Sequence, residues 1–154
     1  MITSLIVAAI VVGVDQLTKF LIYGTPAGSV VGNLLWFEST LNTGVAFSMF
    51  EGMQWLFIVI ASVASILFIY LIVSKKWLES KFEKISVALV LAGTVGNLID
   101  RIIFNGVRDF IYLKFINFAI FNVADMAITI GAIMFCVAIV FFRKSKEEKK
   151  ETND

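Results

Sequence analysis

Four apolar stretches, at 2–23, 54–74, 85–104 and 123–142, limit what this chain can fold into. Each carries about the 20 residues that a helix needs to cross a bilayer. In hydrocarbon every backbone N–H and C=O must be satisfied without water, so four such stretches in 154 residues predict four transmembrane helices. A hydrophobic share of 59% against 16% charged residues excludes an ordinary soluble domain. No Pro-, Ser- or Gly-rich linker and no repeat divides the chain, so a single integral membrane domain over 1–154 is expected. The first stretch lacks a basic start and is interrupted by Asp15, Gln16 and Lys19, which argues for a retained helix over a cleaved leader.

The net charge of +1 hides an asymmetry. Lys75, Lys76, Lys81 and Lys84 lie between the second and third stretches, and Arg143, Lys144, Lys146, Lys149 and Lys150 follow the fourth. The 24–53 connection has no Lys or Arg. The positive-inside rule then places 75–84, 143–154 and both termini in the cytoplasm, with 24–53 and 105–122 outside. The basic residues thus record orientation and mark no nucleic-acid site. The 143–154 tail reads as charged, flexible and without a catalytic part.

Ionisable groups inside apolar helices are costly unless paired or watered, so each is a functional candidate. Asp15 and Lys19 are four apart, share a helix face and can pair in the favourable order, either as an anchor or as a ligand contact. In the third stretch Gly93, Asn97, Asp100 and Arg101 project from one side, while Gly93 and Gly96 permit close helix approach. Asp100 suits a structural network with Lys19 and Asp15; Arg101, near the outer end, suits a carbonyl or phosphate oxygen. Asp109 stands among Val107, Phe110 and Ile111, an apolar setting that raises a carboxyl pKa. Asn122 is a good helix N-cap with Asp125 three residues on, so capping alone accounts for both, and a helix N-terminus favours a negative charge there. Asp109 has no capping role and emerges at the same membrane face.

The 24–53 connection is too long for a mere link. Val30-Val31 and 34–41 flank Gly32-Asn33 with period-two alternation, which predicts a hairpin or curled sheet on the outer surface. In the following Asn42-Thr43-Gly44-Val45-Ala46-Phe47, Gly44 and Ala46 allow another backbone close by. The second helix reads as scaffold.

Histidine is absent and Cys136 is the sole cysteine, expected as a small packing residue of the fourth helix. Disulfides, zinc sites and serine-type triads therefore lack their parts, and neither metal nor cofactor is expected. Proton chemistry falls to Asp, Glu, Lys or Tyr. Two carboxyls on one water share a single proton: the ionised one takes a proton from the attacking water and the other donates to the carbonyl oxygen and later to the departing nitrogen. Asp125 is the natural base and Asp109 the natural acid. Besides a hydrolase, a small proton- or cation-handling transporter and an assembly factor stay open. A relay would string ionisable groups across the bilayer, and none marks the inner half of the second, third or fourth helix.

Five blocks in order carry a resemblance over nearly the whole chain: Asp15-Gln16-Leu17-Thr18-Lys19, then Asn42-Thr43-Gly44-Val45-Ala46-Phe47, then Gly93 with Gly96-Asn97-Leu98-Ile99-Asp100-Arg101, then Val107-Arg108-Asp109-Phe110-Ile111, and Phe121-Asn122-Val123-Ala124-Asp125. With four spans, the chain resembles the bacterial lipoprotein signal peptidases, the type II signal peptidases. Two departures stand out: Ala92-Gly93 where the family often has a double glycine, and Arg108 where an apolar residue is common. The resemblance implies an all-α membrane protein of four transmembrane helices with a small extracytoplasmic β-cradle between helices 1 and 2. It implies aspartyl-type catalysis by Asp109 and Asp125, with Asn42, Gly44, Asn97, Arg101 and Asn122 positioning substrate. Asp15, Lys19, Ala46, Gly93, Asp100 and Ala124 are implied as structural support. Its implied partners are diacylglyceryl-modified prolipoproteins, cut just before the lipidated cysteine, and membrane phospholipid, with no nucleic acid. It further implies a place in the bacterial cytoplasmic membrane with the active site at the outer face; a monomer is expected.

Overall fold

The computed structural model describes residues 1–44, 52–74 and 76–143, the side chains of 142 and 143 excepted. In chain order it contains α1 (Ile2–Ile22), β1 (Gly28–Val31), β2 (Leu35–Asn42), α2 (Gln54–Val73), α3 (Lys81–Phe104), β3 (Val107–Leu113) and α4 (Val123–Val137). A short 3-10 turn, Lys114–Ile116, follows β3, and a wider helical turn, Ala138–Arg143, continues α4. The four helices, α4 counted with its continuation to Phe141, are long and apolar enough to span a membrane.

Helix α3 starts four residues before the apolar stretch at Ile85, and local chemistry explains it. Ser80 Oγ accepts from Glu83 N at 3.0 Å and Glu83 Oε2 accepts from Ser80 N at 2.9 Å, a reciprocal cap that fixes the first turn. At the other end Asn105 takes a left-handed conformation with φ 58°, which stops the helix and turns the chain into β3.

The sheet is antiparallel, in the order β1-β2-β3. The hairpin falls where its alternation predicts. The third strand, from the 105–122 connection, adds to the hairpin to make a three-stranded sheet and has no counterpart in the sequence reading. Its first four residues, Val107, Arg108, Asp109 and Phe110, are all buried, so no in–out alternation marks it. Phe37 and Phe110 meet edge to face across the β2–β3 pair at 6.1 Å.

Helix α3 packs on α1, α2 and α4 and so forms the centre of the bundle. Small residues set the spacing: a Cβ at Gly93 would strike the Ala124 carbonyl oxygen and Ile128 Cγ1, and one at Gly131 would stand 2.7 Å from the Ser86 carbonyl oxygen. Ala8, Ile72, Leu78, Val87, Ala88, Leu91 and Ala92 form the apolar core. Large apolar side chains such as Ile6, Ile10, Phe20, Val63 and Ile66 face outward, as a hydrocarbon solvent allows. Cys136, expected to pack, is free and exposed; on an apolar helix surface it needs no protein partner.

Candidate active site

Asp109 and Asp125 lie sixteen positions apart, and backbone pairing brings them together. Phe121 N donates to Ile111 O at 3.0 Å, while Phe121 O accepts from Ile111 N at 2.8 Å and Phe110 N at 3.1 Å. This bridge folds the chain back beside β3 and delivers Asn122, the first residue before α4, next to Asp109. On the other side, β2 pairs Thr40 with Asp109 and Asn42 with Val107. Asn42 therefore lies one diagonal step from Asp109 on the same face, and its Nδ2 donates to Asp109 Oδ2 at 3.1 Å. A one-residue slip would turn Asp109 to the other face.

Three amides hold the carboxyls. Asn122 Nδ2 donates to Asp109 Oδ1 at 2.6 Å and to Asn97 Oδ1 at 3.2 Å. Asn97 Nδ2 in turn donates to Asp125 Oδ1 at 2.8 Å. Asp125 Oδ2 accepts from Asn122 N at 3.0 Å and Asn122 Oδ1 accepts from Asp125 N at 2.9 Å, so the helix cap is also the tether between the two acids. Thr129 Oγ1 bonds the Asp125 carbonyl oxygen one turn on.

Behind this layer lies a buried ionic cluster. Lys19 Nζ sits 2.9 Å from Asp15 Oδ2, 3.4 Å from Asp100 Oδ2 and donates to Asn97 Oδ1 at 3.1 Å. Asp15 Oδ1 accepts from Ala124 N at 2.9 Å, so a side chain of α1 satisfies an open N–H at the start of α4. Asp15, Lys19 and Asp100 have no solvent exposure, which only dense pairing makes tolerable.

Asn42, Asn97, Arg101, Asp109, Asp125 and Thr129 line a cavity of about 640 Å³ whose remaining walls, Leu113, Ile116, Phe118, Phe121, Met126 and Ile130 among them, are apolar. Burial pushes the Asp109 carboxyl up to about 7, with the nearby Asp125 charge adding to it and the Asn42 and Asn122 amides opposing. At neutral pH Asp109 is therefore poised between its two forms. Among the described residues no group of three or more His, Cys, Asp or Glu could hold a metal ion.

The structure gathers Asn42, Asn97, Asn122, Asp109 and Asp125 in one network, with Asp15, Lys19, Asp100, Gly93 and Ala124 behind it. Arg101 donates to Gly44 O at 3.3 Å and lies over the Phe57 ring; its Nε is buried without a partner among the described residues. Ala46 and the 144–154 part of the tail lie outside the described residues. Two side chains the sequence left without a role prove central. Gln16 Nε2 reaches Asp15, the Gly96 carbonyl and Asp100 at 3.1–3.2 Å, and Arg108 pairs with Asp100. Gln16 carried a usable signal, being polar within an apolar span. Arg108 read only as a departure from the family pattern.

Fold and site together define a class: a small multi-pass membrane protein with one buried and one half-buried carboxyl, Asp109 and Asp125, joined by amides at one end of its bundle. The signal peptidase II family model matches residues 7–141. A lipoprotein signal peptidase from Shouchella clausii is 38% identical over 151 residues, 96% of this chain and 97% of that protein. Another, from Enterococcus faecalis, is 35% identical over 96% of this chain and 94% of its own length. A solved bacterial membrane enzyme superposes with a TM-score of 0.81 at 30% identity, covering 96% of this chain and 92% of its own. The chain belongs to the signal peptidase II family, peptide hydrolases that remove signal peptides from prolipoproteins. The transporter and assembly readings end here.

Proposed function

We propose that Asp109 and Asp125 are the catalytic pair of this peptidase. The observation that carries the reading is the bridge Asp109–Asn122–Asn97–Asp125 at the wall of one cavity. Asp125 takes a proton from water as the water oxygen attacks the scissile carbonyl. Asp109 gives its proton to the carbonyl oxygen; as the tetrahedral diol collapses, Asp125 passes the proton it took to the departing nitrogen and Asp109 takes one back from a diol hydroxyl, leaving the pair singly protonated again. A carboxyl with a pKa of about 7 suits the acid, and a place in the first turn of α4 favours the charged form of Asp125. Asn42, Asn97 and Asn122 orient the pair, and Arg101 with Gly44 offers donor and backbone groups to the bound peptide. Asp15, Lys19, Asp100, Gly93 and Ala124 support the site from behind.

The charge distribution supports a topology with both termini and 75–84 in the cytoplasm and the sheet at the outer surface of a bacterial cytoplasmic membrane. There the sheet forms a cradle for the substrate, with the monomer surrounded by phospholipid. The substrate is a diacylglyceryl-modified prolipoprotein, cut before the lipidated cysteine. In-vitro cleavage of lipidated and unlipidated prolipoprotein tests this: wild type is expected to cut the lipidated form faster, and Asp109→Asn and Asp125→Asn to cut neither. Near-normal turnover by either variant sinks the catalytic assignment, and equal handling of both substrates sinks the lipid requirement.

A further inference from the structure

The catalytic reading leaves one buried cation without a task. Arg108 is 8% exposed and sits directly before Asp109 in β3. It gives Asp100 three N–H donors: its backbone N at 2.9 Å and Nε at 3.2 Å to Oδ2, and Nη2 at 2.8 Å to Oδ1. Nη2 also donates to Gln16 Oε1 at 3.0 Å, and the guanidinium lies 4.2 Å from the Phe104 ring centre. Arg108 thereby fastens β3 to α1 and α3.

The consequence for the carboxyl pair runs through Lys19. Two buried carboxylates, Asp15 and Asp100, compete for the Lys19 ammonium, which lies 2.9 Å from the first and 3.4 Å from the second. Because Arg108 occupies Asp100, Lys19 keeps a donor for Asn97 Oδ1 at 3.1 Å. That oxygen, also bonded by Asn122, can only accept, so the Asn97 amide must present its NH2 to Asp125. Without the guanidinium, Asp100 is left with the neutral Gln16 amide at 3.2 Å and with Lys19 as its remaining cationic partner at 3.4 Å, and it draws Lys19 off Asn97.

We infer that Arg108 is a positioning residue of the carboxyl pair: it occupies Asp100 so that Lys19 stays on Asn97 and Asn97 stays on Asp125. The inference rests on the assignment of Asp109 and Asp125 above. The test is steady-state cleavage of diacylglyceryl-modified prolipoprotein by the full-length protein in lipid, comparing wild type, Arg108→Leu, Arg108→Lys and the double variant Asp100→Asn/Arg108→Leu. Misplacement of about 1 Å can cost about 100-fold in rate, so kcat of Arg108→Leu is expected to fall about 10- to 100-fold with KM little changed. Arg108→Lys, which keeps the charge, is expected to lie between. The double variant, with no orphan carboxylate to capture Lys19, is expected to recover most of the lost kcat. A role limited to holding the fold gives no such recovery. Should Arg108→Leu fail to fold, the other two variants decide: active protein supports the inference, and folded but inactive protein overturns it. Wild-type kcat in Arg108→Leu, or a double variant no better than the single one, overturns it while Asp109→Asn and Asp125→Asn remain inactive. Activity in either of those two overturns the catalytic assignment itself.

Discussion

Asn122 and Asp125 cap each other: the Asp125 N–H donates to Asn122 Oδ1 at 2.9 Å, and the Asn122 N–H donates to Asp125 Oδ2 at 3.0 Å. The cap uses one carboxylate oxygen only. The other faces Asn97, so helix capping and the proposed chemistry share one side chain without competing for the same atom. Asn122→Ala separates the two contributions. Loss of the cap is expected to cost about 1 kcal/mol of stability. Asp109 Oδ1 also loses its 2.6 Å donor. A fall in kcat of about 10-fold or more should therefore accompany a small drop in Tm. Paired thermal melts and cleavage kinetics check this; a kcat that tracks only the folded fraction would reduce Asn122 to a cap.

Asp109→Asn and Asp125→Asn change little in volume, and each should leave a folded bundle. General acid–base catalysis contributes typically about 10²- to 10⁴-fold, so each variant is expected to lose at least that much turnover. Circular dichroism with a cleavage assay on the same preparation is the measurement. Comparable losses are expected from the two, because neither carboxyl works without the other.

Much of this was legible beforehand, for reasons that differ by element. The four spans declare themselves by length and apolarity, since the bilayer imposes both. The Asp15–Lys19 pair follows from helical spacing, and the structure realises it at 2.9 Å. Strand β3 was hidden because burial on both faces removes alternation, and with it the cross-strand contact from Asn42 to Asp109. The convergence of Asp109 with Asn122 depends on the Ile111–Phe121 bridge, a long-range pairing that no local propensity encodes. Arg108 escaped for a related reason: its partner Asp100 lies eight residues back, beyond a turn, at neither helix nor strand spacing.

Asp109 ties activity and stability to pH. Its carboxyl is raised from 3.8 to about 7 chiefly by burial. The acid form needed for proton donation is therefore lost as pH rises through about 7, and kcat should decline there. In the folded state this group binds its proton more tightly than in the unfolded state. Its contribution to stability is thus greatest below about pH 4, shrinks across the interval and is lost above about pH 7. Wild-type Tm is expected to fall between about pH 5 and about pH 8, and less steeply in Asp109→Asn. Parallel slopes in the two proteins would remove Asp109 as the cause.

Gly96 in α3 and Gly131 in α4 both lack room for a Cβ, but only Gly96 touches the ionic cluster. A Cβ at Gly96 would stand 2.5 Å from Asp15 Oδ2 and 3.3 Å from Ala124 Cβ. Asp15 would have to shift, and with it the Lys19 ammonium and the bond from Ala124 N that steadies the start of α4. A Cβ at Gly131, six residues beyond Asp125 in α4, would instead meet the Ser86 carbonyl oxygen at 2.7 Å and Leu89 Cβ at 2.9 Å, neither of them a member of the ionic cluster. Overpacking costs typically about 1–3 kcal/mol, so Gly96→Ala and Gly131→Ala should both lower Tm. Only Gly96→Ala should also lower kcat per folded molecule, by about 10-fold or more, because it moves groups that hold Asn97 and Asp125. Active-site titration alongside the melts distinguishes the cases. Equal kcat losses in both variants would mean that the bundle responds as a whole, and that the ionic cluster behind Asp109 and Asp125 has no separate part in placing them.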